Sequence, residues 1–546
     1  MRESWTPSRL LLAMGLLLIA VMAYGQAVLG ADALDTDRAT VLLMAQDFAR
    51  GNVSVFFWQQ NYMAAFEPLL LTPLAMSGLL TPTSAALVGV GVTAVIVILT
   101  LRLGARAGSV LWLLALLWAL PSAVVVHHHV ALYGARLVAT LLALSGFVLA
   151  LRAERAHEVM AVGFLAGLAY LGDHLMISWA VGIFYVLARR GHLWKAAWGA
   201  APVLLFDTVF SLLAPTVHLS GPNDPGDWLW NPIRLVSQTI PQLFGLIFSR
   251  PPTPVFEEIP TLLPTGATWL LFSLPAAVVL AWIAGSFLKR SGDLVGRGTG
   301  QRGVLLGGLA LTCLMAVGIF FLVGGGGDVW PVRYLVPLWP AVTVLVSTTV
   351  GQWTPRRRGL AVLVVLPALY THLADPSWPH RADAEQARAE AEAVGQALRD
   401  TGVEAVWTDY WDTYRLAFLV DEGLPWATTR MLDRRHDWTA AAEAAAPVAY
   451  LVRPRDTEII DALEGRSADS DSRVLREDTV ASFRLYVTER SVPGVRRSQG
   501  SPSRIRFTAA SVGPLLLFAG ALLVVGMLVP LLFPVSYQDS THQPEA

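Results

Sequence analysis

The chain has 546 residues, of which 54% are hydrophobic and 15% are charged, and its formal net charge is −1. The charged fraction is well below the roughly 25% that is typical of soluble domains. Long apolar runs recur along the chain, which is typical of a polytopic membrane protein. This composition disfavours a soluble enzyme, a nucleic-acid-binding protein and a secreted module. The single cysteine, Cys313, excludes an intrachain disulfide and a thiolate metal cluster.

The apolar runs predict an α-helical membrane protein with about 12 transmembrane helices. The first run is longer than the apolar core of a signal peptide, so we interpret it as a retained helix. Short loops that contain arginine and lysine fall at every second connection, and this pattern places the N-terminus in the cytoplasm. The predicted spans are 10–30, 83–101, 108–126, 130–150, 159–172, 175–188, 197–215, 267–288, 303–324, 333–350, 358–374 and 510–534.

Three regions follow from this topology. Residues 1–374 form the predicted transmembrane domain, which has a first outer loop at 31–82 and a second large outer loop at 216–266. Residues 375–508 alternate between helix and strand patterns, which predicts a small extracytoplasmic α/β domain with its linker. Residues 509–546 hold the last predicted helix and a tail. The elements predicted within the α/β domain include helices at 382–398 and 410–421 and strands at 404–408, 426–429, 448–452 and 483–488.

The first outer loop begins with two carboxylates. Asp35 and Asp37 directly follow the first span, and a carboxylate at the membrane interface can act as a general base toward a hydroxyl group. Asp35 or Asp37 can equally cap the helix that starts near Ala39, because aspartate is a preferred N-cap residue. The residues by themselves leave both interpretations open.

A longer pattern extends from these carboxylates to Glu67. It reads Asp35-Thr36-Asp37-Arg38-Ala39, then Ala45 to Gly51, then Phe56-Phe57-Trp58-Gln59-Gln60-Asn61-Tyr62 and Glu67. This segment resembles the first extracytoplasmic loop of the GT-C superfamily of integral-membrane glycosyltransferases. It is most similar to the bacterial branch related to protein O-mannosyltransferases (glycosyltransferase family 39-like).

Two later stretches extend the resemblance. Arg333-Tyr334-Leu335-Val336-Pro337-Leu338-Trp339-Pro340 is similar to an Arg-Tyr-x-x-Pro-x-x-Pro segment that these enzymes carry near the end of the membrane part. In the α/β domain, the segment 409–418 is similar to an Asp-Tyr-Trp-x-x-Tyr-x-Leu-x-Phe stretch of large members of the same branch. Its rings can stack on sugars, although Trp411, Tyr414 and Phe418 also have the spacing of a helix core face.

The resemblance implies an inverting transfer of a sugar from a polyprenyl-phosphate donor to an acceptor hydroxyl at the outer face of a bacterial cytoplasmic (inner) membrane. Asp37 would be the catalytic base. The implied partners are the lipid-linked sugar, a glycan, lipid or protein acceptor, and membrane lipids, without nucleic acid. Asp35, Arg38, Tyr62 and Glu67 would position the acceptor. The residues that would bind the donor phosphate are Arg333, Tyr334, Arg136, Asp173 and His174.

Arg38 departs from the resembled pattern, because it stands where the superfamily loop has an acid. We expect this cation to lower the pKa of the neighbouring Asp37 by charge attraction. It also disfavours a divalent metal between paired acids, so no cofactor is predicted. The departure supports an alternative, in which the chain is a non-catalytic GT-C-like membrane protein that serves the transport or assembly of envelope glycans.

Several ionisable residues have a second interpretation that needs no ligand. Arg333 and Arg136 can extend from a span end toward lipid headgroups. The Asp173-His174 pair lies at the tip of the hairpin formed by two short predicted spans, where an ionisable pair is a functional candidate by default. The run His127–His129 lies at a predicted outer span end, where at most two of its rings would line a cavity. Asp207 lies inside a predicted span and is assigned no role.

Overall fold

The computed structural model describes most of the chain. The predicted last span and most of the second large outer loop lie outside the described residues. The described residues are 7–58, 60–130, 132, 136–213, 232, 235–244, 246, 267–292, 300–323, 331–374, 381–420, 423–429, 433–466, 472–492 and 495.

The first half of the chain is a series of helices interrupted by one small hairpin. The apolar segments form helices because runs of leucine, alanine and valine satisfy their backbone groups internally in a membrane. The hairpin consists of strand β1 (Phe56–Phe57) and strand β2 (Gln60–Ala64). The helices are α1 (Pro7–Leu29), α2 (Thr36–Ala49), α3 (Phe66–Met76), α4 (Pro82–Ala107), α5 (Leu111–Ala119), α6 (Ala123–Val130), α7 (Arg136–Ala150), α8 (Ala156–Gly172), α9 (Ile177–Arg189) and α10 (Leu193–Leu213).

The second half of the membrane part contains further helices and several tight turns. A 3₁₀ turn at Pro331–Tyr334 carries the arginine-tyrosine motif and leads into the helix Trp339–Gly351. The other elements are a π-turn at Leu235–Thr239 and helices at Ile240–Leu243, Ala267–Gly292, Gln301–Val323 and Leu366–Ala374, with short helical turns at His174–Met176, Val336–Leu338, Pro355–Arg358 and Gly359–Val365.

Among the described residues, three helical segments are long and apolar enough to cross a membrane, namely Pro82–Ala107, Gln301–Phe320 and Val332–Gly351. The predicted span 108–126 is wrong as a single helix, since α5 and α6 meet at an angle of 78°. Pro121 lies at the break, where its ring and its missing N–H prevent helix continuation. Counted as one bent span, this pair would make four. The remaining apolar helices are shorter, so the count of twelve stays a prediction.

Glycines allow close helix packing in the membrane part. A β-carbon at Gly163 of α8 would clash with the backbone carbonyl of Ala196 on α10, and one at Gly199 of α10 would clash with that of Met160 on α8. Small residues bring helix backbones together in this way in membrane proteins, where lipid provides no hydrophobic drive between helices. The α8–α10 contact therefore depends on these two glycines.

The residues from 381 onward form an α/β unit around a five-stranded sheet of order β4-β3-β5-β7-β6. Strand β3 runs parallel to β4 and β5, whereas β7 is antiparallel to β5 and β6. Strand β6 was not predicted, because its side chains are mostly exposed and charged, as at many sheet edges. The strands are β3 (Ala405–Thr408), β4 (Trp426–Thr428), β5 (Val448–Val452), β6 (Val474–Val480) and β7 (Phe483–Thr488), and the helices are Arg381–Thr401, Tyr410–Val420, His436–Ala444 and Thr457–Arg466.

The α/β unit packs directly on the first outer loop. The Thr36 hydroxyl, in the first turn of α2, donates to the backbone carbonyls of Tyr410 and Trp411 at 3.0 and 2.6 Å. Arg435 pairs with Asp47 of α2 at 2.6 Å, and Arg388 pairs with Asp32. These contacts place α2 between the membrane helices and the sheet, and they bring its N-terminus against residues that lie far away in the sequence.

Candidate active site

The site is built around the first turn of α2. Asp35 is the N-cap residue, and its side chain accepts the backbone N–H of Arg38 at 2.8 Å. The capping role left open for the two carboxylates therefore belongs to Asp35. Asp37 lies within the first turn, where the helix dipole favours a negative charge. Its side chain remains 28% exposed, so its carboxylate is accessible.

Two residues of the α/β unit hold the carboxylate of Asp37. Arg434 Nη2 donates to Asp37 Oδ1 at 2.6 Å, and the Tyr410 hydroxyl donates to the same oxygen at 3.3 Å. Arg434 also donates to the Tyr410 hydroxyl through Nη2 at 2.6 Å and through Nε at 3.0 Å. Burial raises the pKa of Tyr410, which keeps this hydroxyl protonated. The resulting triangle of hydrogen bonds fixes one oxygen of Asp37.

Arg38 does not pair with Asp37, contrary to the expectation from its position in the sequence. Its guanidinium is buried and donates to the backbone carbonyl of Ala31 at 3.2 Å. Consecutive residues of a helix project about 100° apart, so the two side chains leave α2 in different directions. The cation paired with Asp37 is Arg434.

The β1–β2 hairpin brings Tyr62 between the two charged parts of the site. Its side chain lies within electrostatic range of Asp37 and Arg434 and also of Arg333 and Tyr334. Burial raises the pKa of Tyr62 to about 12, so the phenol stays protonated at neutral pH. The predicted base and the predicted phosphate-binding arginine are thus near the same ring, although almost 300 residues separate them in the chain.

Two cations share the ring of Tyr334. The Arg333 guanidinium carbon lies 5.1 Å from the ring centroid, and that of Arg136, the first residue of α7, lies 5.8 Å away. Arg333 Nη2 also donates to the Tyr334 hydroxyl at 3.1 Å. Arg136 Nε donates to Asp173 Oδ2 at 2.8 Å, so Asp173 neutralises one of the two charges. A pair of guanidinium groups of this kind suits a phosphate group.

Glu67 lies next to Arg136 rather than beside Asp37. Its side chain is fully buried, and Oε1 accepts the backbone N–H of Leu137 at 2.7 Å in the first turn of α7. Arg136 and Asp173 are within electrostatic range of it. Glu67 therefore holds the N-terminus of α7, which carries Arg136, and its contacts do not include the acceptor side of Asp37.

His174 and the histidine run take other positions. His174 pairs with Asp207 of α10 at 3.4 Å and stacks on Tyr170 at 4.4 Å, which gives the unassigned Asp207 a partner. His127 to His129 lie in the last turn of α6, at the end of the helix, and they are buried. His127 is near Arg38, and His128 is near Arg136 and Arg333.

The aromatic motif of the α/β unit contributes in a way that the sequence did not indicate. Tyr414 and Phe418 are core residues, but Trp411 is exposed, so the predicted three-residue core face is wrong at Trp411. Tyr410 of the same motif reaches Asp37 instead. Arg434 was not predicted at all, because it belongs to the charged run Asp433-Arg434-Arg435-His436, a composition typical of a solvated loop.

Across the described ranges, no group of three or more histidine, cysteine, aspartate or glutamate side chains is arranged to hold a metal ion. The arrangement offers instead an accessible carboxylate, two protonated phenols and three guanidinium groups, those of Arg434, Arg333 and Arg136. These groups can accept a proton on one side and bind a phosphate on the other.

Comparison with known proteins identifies the class of fold first. No protein-family model and no curated protein matches the sequence. Two crystal structures of the GT-C glycosyltransferase ArnT from Cupriavidus metallidurans are similar to the structure over most of both chains. The apo structure has a TM-score of 0.50 at 14% identity and covers 87% of this chain and 98% of its own. The structure bound to undecaprenyl phosphate has a TM-score of 0.51 at 13% identity and covers 88% and 99%.

This likeness shows the fold alone, and it confirms the GT-C fold that the sequence motifs imply. The chain therefore has an ArnT-like GT-C fold built from several apolar helices. The predicted branch related to protein O-mannosyltransferases receives no support from these neighbours.

Proposed function

We propose that the chain is a membrane glycosyltransferase that moves a sugar from a polyprenyl-phosphate donor to an acceptor hydroxyl. The observation that carries this proposal is the placement of Asp37 and of the Arg333–Arg136 pair around Tyr62 and Tyr334. One side of the site has a base and the other has cations for a phosphate. The undecaprenyl phosphate bound to an ArnT structure of the same fold supports a lipid-phosphate donor.

The proposed reaction is a single displacement with inversion at the anomeric carbon. The acceptor oxygen forms a bond to that carbon while the bond between the carbon and the phosphate oxygen breaks. Oδ2 of Asp37 takes the acceptor proton, since the hydrogen bonds that Asp37 makes within the described chain engage Oδ1. Arg333 and Arg136 stabilise the negative charge that develops on the leaving polyprenyl phosphate.

The remaining residues have supporting roles in this proposal. Asp35 caps α2 and so sets the direction of Asp37, and Glu67 holds the start of α7 and so sets that of Arg136. Asp173 orients Arg136. Arg38 points toward the carbonyl of Ala31, so its charge does not oppose a base at Asp37. The acid of the resembled pattern is still replaced at this position, which keeps a non-catalytic GT-C-like protein as the alternative. The bacterial cytoplasmic membrane and a cytoplasmic N-terminus are part of the same proposal.

Envelope glycans of a deletion strain test this function. We expect wild type to restore a glycan that the deletion lacks, and Asp37→Asn at equal expression to lower it about 100-fold or more, because a general base contributes that much. The matched control is Asp47→Asn, on the same helix and also paired with an arginine of the α/β unit. Glycan mass spectrometry measures all four strains.

Full restoration by Asp37→Asn would contradict the proposal and favour the non-catalytic interpretation. Equal loss with Asp37→Asn and Asp47→Asn would show that both changes act on domain packing rather than on the reaction. The mass of the missing sugar would name the donor.

A further inference from the structure

Arg434 reaches the candidate active site from the α/β unit. It lies in the segment between β4 and the helix His436–Ala444, and its side chain is only 2% exposed. A buried guanidinium is costly unless it is paired and hydrogen-bonded. The contacts of Arg434 must therefore compensate for the loss of hydration of its guanidinium group.

The side-chain hydrogen bonds of Arg434 go to the first outer loop and to Tyr410, while its backbone N–H donates to the Tyr414 hydroxyl at 2.7 Å. Nη1 donates to the backbone carbonyl of Trp58 at 3.2 Å, and the guanidinium carbon lies 5.0 Å from the centroid of the Phe57 ring. Nη2 bridges the Tyr410 hydroxyl and Asp37 Oδ1. Asp37 is the acid that pairs with Arg434 among the residues the structure describes.

The next residue makes a contrasting contact. Arg435 pairs with Asp47, far along α2 from Asp37, and with Asp437 of its own unit at 2.6 Å. Its guanidinium lies over the rings of Trp58 and Trp438 at 4.6 and 4.4 Å. Arg435 thus fastens the unit to α2 without touching the reacting groups, whereas Arg434 contacts Asp37 itself.

We propose that Arg434 is a positioning residue for Asp37, supplied by the α/β unit, so that sugar transfer requires this unit to be docked on α2. The fork of Arg434, together with the Tyr410 hydroxyl, holds Oδ1 and turns Oδ2 toward the acceptor. An arginine suits this task because its rigid fork fixes direction as well as charge. The inference rests on the proposed function.

The contacts also separate this role from donor binding. Arg434 is bonded to Asp37, Tyr410 and Trp58, whereas Arg333 and Arg136 share the ring of Tyr334. Loss of Arg434 should therefore slow the reaction and leave the affinity for the lipid phosphate unchanged. A residue that merely stabilised the fold would change both.

The test compares two neighbouring arginines, Arg434→Gln and Arg435→Gln, each of which breaks one ion pair between the α/β unit and α2. Two readouts are taken. One is the amount of the glycan in the complemented deletion strain at matched protein level, and the other is the affinity of the purified full-length protein for undecaprenyl phosphate.

For Arg434→Gln we expect the glycan to fall about 10- to 100-fold, as misplacement of a reacting group does, with an affinity within about threefold of wild type. Arg435→Gln should keep both readouts near wild type, because the hydrogen bonds of Thr36 and the Arg388–Asp32 pair still hold the α/β unit on the first outer loop. Arg333→Gln should weaken the affinity about tenfold, as the loss of a charged hydrogen bond does, and it calibrates the second readout.

Any of three results would overturn the inference. Two concern the glycan, namely a full level with Arg434→Gln or equal losses with Arg434→Gln and Arg435→Gln. The third is a loss of affinity with Arg434→Gln as large as that with Arg333→Gln. If Arg434→Gln does not accumulate, Arg434→Lys replaces it, since it keeps the charge and loses the fork. A full glycan level with Arg434→Lys would then overturn the inference. Failure of the proposed function looks different, because Asp37→Asn would then restore the glycan.

Discussion

Asp37 and Arg38 are consecutive residues, yet their side chains lie in different surroundings. Asp37 meets a cation from the α/β unit, while Arg38 turns back to the carbonyl of Ala31. The charge nearest in sequence is therefore not the charge nearest in space. Helix periodicity decides this, because two side chains must be three or four positions apart to share a helix face. The same principle explains why Asp35 caps the helix while Asp37 remains available for chemistry.

Tyr410→Phe tests the hydroxyl that joins Arg434 to Asp37. The substitution keeps the ring and removes one donor to Asp37 and one acceptor for Arg434, so we expect the glycan to fall about 3- to 10-fold, the equivalent of one net hydrogen bond. Tyr486→Phe is the control, since its hydroxyl bonds Glu464 at 2.9 Å elsewhere in the unit. Equal effects of the two variants, measured by glycan mass spectrometry, would contradict a role at the site.

At the scale of elements, a buried group of charges ties the α/β unit together. Asp412 accepts from Arg415 at 2.7 Å and from Arg453 at 2.9 and 3.0 Å, and Glu390 accepts from Arg415 at 2.8 Å. These residues come from two helices and from the end of β5. Burial opposes the ionisation of Asp412, but hydrogen bonds from Arg453 and the charge of Arg415 outweigh it and lower its pKa.

The lowered pKa of Asp412 predicts how stability depends on pH. A carboxyl with a lower pKa in the folded state stabilises above its unfolded value, about 3.9, and loses this contribution as the pH falls through the folded value. Asp412→Asn should cost about 3–5 kcal/mol near pH 7, since it leaves buried arginines poorly paired. The difference from wild type should shrink below pH about 4.

Scanning fluorimetry of the full-length protein in detergent between pH 7 and 3.5 measures this difference. Asp478→Asn serves as the control, because Asp478 pairs with Arg476 on the exposed edge strand. It should unfold at the wild-type temperature. A loss for Asp412→Asn that is the same at both ends of the pH range would refute the assignment to the ionised carboxylate.

Within the structure as a whole, the first outer loop contacts both the α/β unit and the membrane helices. It receives the α/β unit on one side through Thr36, Asp37 and Asp47, and it meets the membrane helices on the other, where Met63 forms a β-bridge with Asp173. The site therefore lies where the membrane part and the α/β unit meet. Such a site is complete only when the α/β unit is docked on the membrane part. The proposed sugar transfer would therefore depend on this docking.

Cysteine labelling tests the predicted orientation of the protein in the membrane. In a Cys313→Ala background, Glu392→Cys on the exposed face of the helix Arg381–Thr401 should react with a membrane-impermeant maleimide in intact spheroplasts. Thr354→Cys, exposed beside the arginine-rich turn Pro355–Arg358, should react only after permeabilisation, because positively charged loops stay in the cytoplasm. The reverse labelling pattern would show that the orientation is inverted.

Features encoded within a short stretch of chain were predictable from the sequence. Strands β5 and β7 have the predicted bounds, Val448–Val452 and Phe483–Thr488, because their apolar β-branched and aromatic runs are locally distinctive. Strand β6 was missed because its exposed, charged residues carry no such pattern. The bend between α5 and α6 was also missed, since hydropathy averages over a window and does not respond to one proline.

The sequence by itself predicted a helical membrane protein with an α/β unit, and its motifs pointed to the GT-C fold. Composition and periodicity suffice for this, because they report burial in lipid or in a core. Only the tertiary structure decided which cation meets Asp37, since Arg434 lies 397 positions away and neighbouring charges in a sequence do not determine a contact at that separation. The packing of the α/β unit on α2 makes that contact, and packing is a property of the whole fold.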